Sequence, residues 1–449
     1  MKNLLIKICL LFTFFIVLTS SVLAWDDTGH KLTTYIAWER MTPQVREKVI
    51  KIILNAPEDS DLSVFYLQDS RSAAVRQREL FMIASTWADI VRDRKFKNRF
   101  EKYHKGDWHY SDTFWRGTNG KVEILEKFAE PKGKAVDQLF EFDKLMRDAS
   151  ASDADKAIAL AWFLHLGGDI HQPLHTSARV TELEPKGDQG GNLFELTPKD
   201  TPREDKVNLH WYWDSIIGRN TPRLNDACDS EYIPVIAQSI IKKYPLSKMQ
   251  NRLKIGKFNE WQTEGFEIAA KEFFPPTLIR YQMPSEKYKK RAFEIAQEQI
   301  ALAGYRMSET LNQIFSNQEL TGKQDNTDKF RYEVAKKRGD KIGAGENDSW
   351  LWTKTRATLA VANISKDLII NIDVENAVVT LKGTVLSKEQ KEKVVKLVME
   401  IDGVVKVNDM LKISPANSKK INTKLVIRFI TEDSQLESLF VFSDRKTTR

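Results

Sequence analysis

The sequence predicts a mainly α-helical domain followed by a small α/β domain. Between Trp25 and Ser316, apolar residues recur at spacings of three and four, the pattern of amphipathic helices. Strand-like alternation is concentrated after Leu368, in a region that also contains one amphipathic helix. The 449 residues have room for two or three domains, and 41% hydrophobic residues can supply their cores. The expected divisions are 1–24 signal peptide, 25–316 helical domain, 317–348 linker, 349–415 α/β domain and 416–449 tail of unknown structure.

The first 24 residues have the composition of a secretory signal peptide. Lys2 and Lys7 precede or interrupt the start of an apolar run that extends to Val17, and Val22-Leu23-Ala24 has the small-residue spacing of a cleavage site. A retained membrane anchor is the alternative, but the run is near the short limit for spanning a bilayer. Cleavage after Ala24 would make Trp25 the mature N-terminus of a periplasmic or secreted protein.

The cysteine content predicts that the mature chain has no intramolecular disulfide bond. Of two cysteines, Cys9 lies in the signal peptide and Cys228 remains alone, although the chain is expected in an oxidising compartment. Bound metal would stabilise such a chain, because ligands that bind only in the folded state add their binding energy to folding. The net charge of +7 permits an anionic substrate without requiring one.

The helical domain contains two polar, glycine-bearing stretches, at Lys105–Lys121 and Glu182–Asn208. They interrupt amphipathic helical patterns such as His30–Glu39 and Lys156–Leu166. Long loops in a compact helical domain are usually functional or disordered, and these two lie beside candidate ligands. We therefore expect them to have a functional role.

The stretch WFLHLGGDIHQPLH contains the most concentrated set of potential metal ligands. In a helix, His165 and Asp169 are four residues apart and share one face. Pro173 would end this helix and present His175 from the following turn. Imidazole and carboxylate ligands at this spacing suit zinc. The structural alternative is one buried histidine with a capping aspartate.

Ligands of the same types recur along the helical domain. His210 and Asp214 in NLHWYWDS repeat the four-residue spacing. The other candidates are Asp89 in STWADIVRDR, His109 in WHYSD, and His30 with the free amine of Trp25 in WDDTGH. Each residue alone is more often part of a core than a ligand. Buried carboxylates without a counter-charge are costly, however, and a cluster of divalent cations removes that cost. Nitrogen and oxygen ligands without cysteine favour zinc.

The motifs WxxxGH, WADxxR, WHYSD, HxxGDxHQPLH, GGN and NLHxxWD resemble those of the zinc-dependent, single-strand-specific S1/P1 nucleases of fungi, plants and bacteria. The resemblance covers Trp25 to about Ser316 and implies a helical S1/P1 nuclease or phospholipase C-like fold with three zinc ions. It implies that Asp89, His109, His165 and Asp169 hold the first zinc, that His175, His210 and Asp214 hold the second, and that Trp25, His30 and Asp169 hold the third. Asp169 would therefore bridge two ions.

The resemblance also implies a reaction and a substrate. A zinc-activated water would hydrolyse phosphodiester bonds of single-stranded DNA or RNA to 5′-phosphate products, with removal of 3′-phosphates as an additional activity. The catalytic set would be Arg92, Asp112 and Asp169. Arg92 would stabilise charge in the transition state, unless it serves only as an ion-pair partner of Asp93 or Asp112. Asp112 would bind Arg92 or a base edge, Tyr110 would stack on a base, and Asn192 would belong to the base-contact loop.

The region after the linker resembles a BON domain through the phrases NAVVTLKGTV and IDGVVKVNDMLKI. This resemblance implies contact with membranes or other envelope components, and we expect no obligate protein partner. A generic α/β repeat is the alternative. The expected elements are a short helix at Ala357–Ile364, strands at Leu368–Val374, Ala377–Val385 and Val404–Ile413, a helix at Lys388–Glu400, and short strands in the tail at Leu425–Ile430 and Leu439–Phe442.

Two other functions remain open from the sequence. A zinc-dependent phospholipase C has similarly clustered ligands. Such enzymes, however, look to carry glutamate at the position where this chain has Asp214. A non-catalytic envelope adaptor would use zinc structurally, with every coordination position filled by protein. Of the remaining histidines, His104 is expected to be a solvated loop residue, and His171 a hydrogen-bond partner of the ligands.

Overall fold

The computed structural model describes residues 25–67, 71–118, 121–221, 229–316, 346–362 and 370–413. The expected signal peptide, Cys228, most of the expected linker and the C-terminal tail lie outside these residues. Among the described residues, none of the helices combines the length and apolar character of a membrane-spanning segment.

The first domain is helical, as the apolar spacing predicts. Its long central helices are α1, α7 and α12, which pack against one another and bury most of their residues. The α-helices of this domain are α1 Asp27–Arg40, α2 Pro43–Leu54, α3 Ala73–Ala84, α4 Trp87–Ile90, α5 Lys97–Tyr103, α6 Ala135–Arg147, α7 Asp153–Asp169, α8 Leu209–Asp214, α9 Ile216–Asn220, α10 Asp229–Lys243, α11 Phe258–Ile268 and α12 Glu286–Phe315.

Two glycines allow the central helices to approach closely. A Cβ on Gly304 of α12 would lie 2.6 Å from two side-chain carbons of Ile36 in α1. A Cβ on Gly168 of α7 would lie 2.7 Å from Nδ1 of His30 in α1. Since real side chains do not tolerate such distances, glycine at position 168 brings His30 up to the C-terminal end of α7.

A small sheet joins the two ligand-bearing regions around WHYSD and HQPLH. Its strands are β1 Thr113–Thr118, β2 Lys121–Ile124 and β3 Ser177–Arg179, in the order β2-β1-β3. β1 pairs with β3 in parallel, and Ser111 N donates to His175 O at 2.8 Å. The polar stretch Lys105–Lys121 therefore contains a strand as well as loop residues. The strand forms where the aromatic residues Phe114 and Trp115 are buried in the protein interior.

The second domain is a small α/β unit, as predicted. Its elements are α13 Glu346–Val361, β4 Ile370–Glu375, β5 Val378–Val385, α14 Lys388–Met399 and β6 Lys406–Ile413, with strand order β4-β5-β6. β4 and β5 are antiparallel, and β5 and β6 are parallel. α13 begins at Glu346, inside the expected linker and well before Ala357. Asp348 explains this early start, because its carboxylate accepts from the N–H groups of Asn376 and Ala377 in the β4–β5 turn.

The helix α13 also packs against the helical domain. Ser349 Oγ donates to Asp61 Oδ2 at 2.6 Å, and Arg99 Nη1 donates to Asp61 Oδ2 at 3.1 Å and to Thr353 Oγ1 at 2.5 Å. All four side chains are buried, and we call Asp61, Arg99, Ser349 and Thr353 the interdomain cluster. Trp352 packs beside this cluster, with its ring 5.4 Å from that of Phe96. The two domains therefore share a buried polar contact that no sequence motif indicated.

Candidate metal centre

Three groups of side chains in the helical domain can each hold a metal ion. The donor atoms of each group lie within 4.8 Å of one another. The groups are Asp89, His109 and His165; His30, His165 and Asp169; and His175, His210 and Asp214. We call these residues together the metal centre.

The first group is assembled from α4, α7 and the turn before β1. His165 and Asp169 share one face of α7, as their spacing predicts, and His165 Nε2 lies 3.3 Å from Asp169 Oδ2. His109 Nδ1 lies 2.9 Å from His165 Nε2 and 3.2 Å from Asp169 Oδ2. Asp89 Oδ1 lies 3.9 Å from His165 Nε2. The four residues expected at the first zinc are thus brought together.

The second group joins the turn after α7 to the short helix α8. His175 lies in the 3₁₀ turn Pro173–Thr176, which follows the end of α7. His210 Nε2 lies 3.5 Å from Asp214 Oδ2, and His175 Nε2 lies 3.9 Å from Asp214 Oδ1. Gln172 Nε2 donates to Asp214 Oδ1 at 2.7 Å, so the proline-containing turn also orients the carboxylate.

The third group lies where α1 meets α7. His30 Nε2 is 3.3 Å from Asp169 Oδ1, and the rings of His30 and His165 stack at 4.2 Å. Asp169 therefore offers one oxygen to this group and the other to His109 and His165. Trp25 is fully buried, and the next residue, Asp26, donates its N–H to Asp214 O at 2.9 Å. This contact holds the start of α1 beside α8.

Backbone carbonyls fix the orientation of three histidine rings. His165 Nδ1 is 2.7 Å from Ser85 O, His175 Nδ1 is 2.7 Å from His109 O, and His210 Nδ1 is 2.7 Å from Gly190 O. A carbonyl can only accept, so each Nδ1 carries the proton and each Nε2 keeps its lone pair for a ligand. Gly190 has φ +61°, and a Cβ there would lie 2.4 Å from the carbonyl oxygen of Leu174.

The donor atoms of the metal centre fit a bound cation. Within the part of the chain that the structure describes, the buried atoms His30 Nε2, His175 Nε2 and Asp214 Oδ2 form no hydrogen bond. Buried polar atoms are normally satisfied, and unsatisfied ones mark a functional site or a missing ligand. Imidazole nitrogens and carboxylate oxygens, with no thiolate among them, are a donor set that zinc accepts.

The protonation of the ligands also suits a cation. Burial and the charge of Arg92 lower the pKa of His109 to about 3, so this ring is neutral. Burial opposes ionisation of Asp169, but His165 and its other histidine neighbours hold the pKa of that carboxyl well below 3.8. Burial raises the pKa of Asp214 well above 3.8 in the metal-free site. A cation would reverse this last effect, because metal binding favours the deprotonated ligand.

The residues expected to act on a substrate lie around this centre. Arg92 pairs with Asp89, at 3.1 Å from Nη1 to Oδ1, rather than with Asp93 or Asp112. The reason is helical geometry, since residues three apart in α4 and the following turn face the same way. The ring of Tyr110 is half-buried.

Asp112 and Asn192 differ in how they are held. Asp112 is half-buried, and desolvation together with the charge of Asp188 raises its pKa well above 3.8. The amide of Asn192 bonds within the protein, donating to Gln189 O at 2.9 Å and accepting from Asn208 Nδ2 at 3.4 Å. Asn208 caps α8, so the GGN loop is tied to the helix that carries His210.

A family model described as S1/P1 Nuclease matches residues 25–316, which contain the whole metal centre. The chain belongs to the S1/P1 nuclease family. A second model, described as BON domain, matches residues 347–415. The S1/P1 assignment identifies the chain as a nuclease, consistent with its similarity to curated endonucleases of Arabidopsis thaliana.

Three of these relatives bear directly on the S1/P1 nuclease domain. Endonuclease 2 is 24% identical over 302 residues, covering 65% of this chain and 90% of that protein. Endonuclease 4 is 26% identical over 196 residues, or 39% of this chain and 59% of that protein. Endonuclease 5 is 26% identical over 175 residues, or 35% of this chain and 51% of that protein.

The two histidines outside the ligand sets of this S1/P1 nuclease have different surroundings. His171 is buried, with Nδ1 2.7 Å from Gly167 O and Nε2 2.9 Å from Arg306 Nη1. It therefore supports the end of α7 and joins none of the three groups found among the described residues. His104 lies in the loop after α5, as expected, but it is half-buried and stacked on Phe100 rather than fully solvated.

Sequence reasoning missed two supporting residues of the S1/P1 nuclease site. Gln172 was visible in HQPLH, but nothing local indicated that it would bond to Asp214. Asp188 precedes the GGN phrase, and its Oδ1 accepts from Arg179 N at 2.9 Å. An aspartate directly before a glycine-rich turn is a signal for such a backbone contact.

Proposed function

We propose that this S1/P1 nuclease is a zinc-dependent endonuclease of single-stranded DNA or RNA that leaves 5′-phosphate products. The observation that carries the proposal is the convergence of three donor groups on the two carboxylate oxygens of Asp169 and on Asp214. Asp89, His109, His165 and Asp169 would hold one zinc, His175, His210 and Asp214 a second, and Trp25, His30 and Asp169 a third.

The chain supplies positioning and the bound metal supplies the nucleophile. When bound, zinc lowers the pKa of water enough to produce hydroxide near neutral pH and neutralises charge on a phosphate. The chain fixes the ligands beforehand, since Ser85 O, His109 O and Gly190 O each accept from a histidine Nδ1–H. The reacting groups are thus held in place before substrate arrives, which lowers the entropic part of the barrier.

Arg92 is the cationic side chain placed for transition-state stabilisation. Its side chain is about 15% exposed, and its guanidinium pairs with Asp89. Arg92 therefore lies at the edge of the first group, oriented by Asp89. A guanidinium stays charged and donates to several oxygens at once, which suits a phosphate as negative charge builds up. Asp89 would therefore act both as ligand and as the anchor that orients Arg92.

Tyr110 and Asp112 are the candidates for binding a base. A half-buried aromatic ring can stack on any nucleobase, which favours unpaired strands over a duplex. The carboxyl oxygens of Asp112 can accept from a base edge, and the raised pKa of this group favours the protonated form, which can also donate. Asn192 would contribute through its loop, where one amide proton remains beyond the bond to Gln189 O.

We further propose that the enzyme acts outside the cytoplasm. The signal-like residues 1–24 and the small-residue spacing before Trp25 support export and cleavage. Cleavage at that point would release the amine needed for the third site. The BON domain, which packs on the nuclease domain through α13, would then keep the enzyme at the cell envelope.

One set of measurements tests these points together. The exported protein is purified, its intact mass and zinc content are measured, and it is then incubated with denatured DNA, duplex DNA or lecithin. We expect a mass that begins at Trp25, three zinc ions per chain, and 5′-phosphorylated nucleotides from denatured DNA alone. Release of phosphorylated headgroup without nucleotides would instead support phospholipase C, and a zinc-loaded protein inactive on all three would support the adaptor.

A further inference from the structure

A layered stack of side chains lies on the surface beside Arg92. The guanidinium carbon of Arg94 is 5.5 Å from the centroid of the Phe100 ring. On α5, Phe100 in turn stacks on His104, with centroids 4.7 Å apart and an angle of 26° between the planes. His104 is followed at once by Lys105. We call Arg94, Phe100, His104 and Lys105 the flanking patch.

The cations of the flanking patch are not neutralised by nearby acids. Among the described residues, neither Arg94 nor Lys105 forms an ion pair, although the same segment contains two lysines that do. Those lysines are Lys97, which pairs with Glu101, and Lys102, which pairs with Asp59. The patch therefore keeps a net positive charge, a feature of surfaces that track a nucleic-acid backbone.

The flanking patch lies close to the metal centre, since Arg94 is two residues after Arg92, which pairs with Asp89. Burial and the positive charges of Arg92, Arg94 and Lys105 lower the pKa of His104, while Asp89 opposes them. His104 therefore interacts electrostatically with both Arg92 and Asp89. Its imidazole is neutral at physiological pH and offers a flat, uncharged ring beside the cations.

Two further observations show that the position of His104 is not explained by packing alone. Its Nδ1 is buried and, in the region that the structure covers, makes no hydrogen bond. Its other nitrogen, Nε2, lies beside Gly106, at ordinary contact distance from where a Cβ would be. His104 belongs to none of the three donor groups formed by described residues. The ring is held in a defined place without a partner for its polar edge.

We propose that the flanking patch binds the nucleotide adjacent to the scissile phosphodiester of a single strand. Arg94 and Lys105 would neutralise that nucleotide's phosphate, and the base would stack on the imidazole ring of His104. The inference rests on the proposed nuclease function and extends it, because it assigns a second subsite on the Arg92 side of the metal centre. Rings that stack without sequence preference combined with cations are what unpaired strands require.

The test compares a long and a short substrate of the zinc-loaded enzyme. The substrates are the oligonucleotide dT12 and bis(p-nitrophenyl) phosphate, which has no flanking nucleotide. For Arg94→Ala/Lys105→Ala and for His104→Ala, we expect KM for dT12 to rise about tenfold with kcat little changed. The rate on the small substrate should stay within about twofold. The double variant should also reduce the slope of log KM against log salt by about 1.4, or about 0.7 for each charge removed.

Matched variants separate the flanking patch from general effects. Lys97→Ala/Lys144→Ala removes the same charge from exposed positions and should leave KM for dT12 unchanged, while His104→Phe should retain the stacking. An equal loss in the lysine control would overturn the assignment, as would an equal loss on the small substrate.

A binding measurement keeps the outcome independent of turnover. Fluorescence anisotropy with labelled phosphorothioate dT12 should show weaker binding by the patch variants. If the native enzyme cleaves neither substrate, the proposed function fails, and the binding result still decides the patch. Unchanged binding of dT12, or patch-dependent binding to phosphatidylglycerol vesicles in its place, would refute it.

Discussion

The metal centre and the interdomain cluster bury charged groups in opposite ways. In the interdomain cluster, the carboxylate of Asp61 meets the guanidinium of Arg99, and the hydroxyls of Ser349 and Thr353 add further hydrogen bonds. In the metal centre, several carboxylates and imidazoles converge, and Arg92 is the cation that pairs with Asp89 at its edge. The first arrangement pairs opposite charges within the protein, whereas the second collects ligand types that a bound cation would complete.

This difference separates a structural site from a functional one. A buried pair of opposite charges holds two elements together but leaves nothing to react. A group of imidazoles and carboxylates with unsatisfied donor atoms has the capacity to bind a metal. The two regions should therefore respond to different perturbations, and four experiments can test whether they do.

Removing zinc should have the largest effect. A strong chelator should abolish nuclease activity and lower the melting temperature sharply, because each site saturated at a thousand times its Kd contributes about 4 kcal/mol to stability. Hydrogen exchange should increase around His165 to His175 and in α8, while the amides of α13 stay protected. An unchanged melting temperature in chelator would contradict the stabilising role of the metal.

Asp169→Asn should be the most damaging single substitution in the metal centre. It removes the carboxylate whose two oxygens face His30 on one side and His109 and His165 on the other. We expect kcat to fall by at least about 100-fold, since even partners outside the ligand shell cost 10- to 100-fold, and bound zinc to decrease. Asp200→Asn, at an exposed loop position, is the control. A variant with full activity and full zinc would refute the bridging role.

The sequence predicted the metal centre because its ligands follow local rules. The i, i+4 pairs His165–Asp169 and His210–Asp214 are visible as helix faces, and Pro173 marks the end of α7. The interdomain cluster was not predictable, since Asp61 and Ser349 are separated by most of the chain and neither belongs to a motif. Only the packing of α13 brings them together.

His104 illustrates an intermediate case. It lies four residues after Phe100, a spacing that brings two rings together on a helix. The charged composition around it suggested a solvated loop, but α5 extends to Tyr103 and carries the stack to its C-terminal cap. The loop position was expected, and the four-residue spacing of the two rings explains the partial burial that was not.

Asp61→Asn should weaken the interdomain cluster without affecting the metal centre. Asp61 has φ +56°, a conformation that asparagine also adopts, so the backbone is matched and mainly the charge is lost. Arg99 would then be buried without its counter-charge, at a cost of about 3 kcal/mol. We expect earlier unfolding by urea and faster proteolysis at α13, with zinc content unchanged. Asp59→Asn, which breaks the partly exposed pair with Lys102, should cost less than about 1 kcal/mol.

The smallest effect should come from substituting Asp188. This buried carboxylate is compensated neither by a full ion pair, as in the interdomain cluster, nor by a metal site. Burial raises its pKa to about 7, and Arg179 only partly offsets this, so it is stabilised by protonation. Since the folded pKa is above the unfolded value of 3.8, its contribution to stability is complete below about pH 4 and is lost as the pH rises towards 7. Asp188→Asn should lack this loss, because the amide oxygen can still accept from Arg179 N. Measured by urea unfolding with zinc present, the variant should gain on the order of 2 kcal/mol relative to the native chain between pH 5 and pH 7. Parallel pH curves for the two proteins would mean that Asp188 is ionised in the fold and neutralised by Arg179, like Asp61 by Arg99.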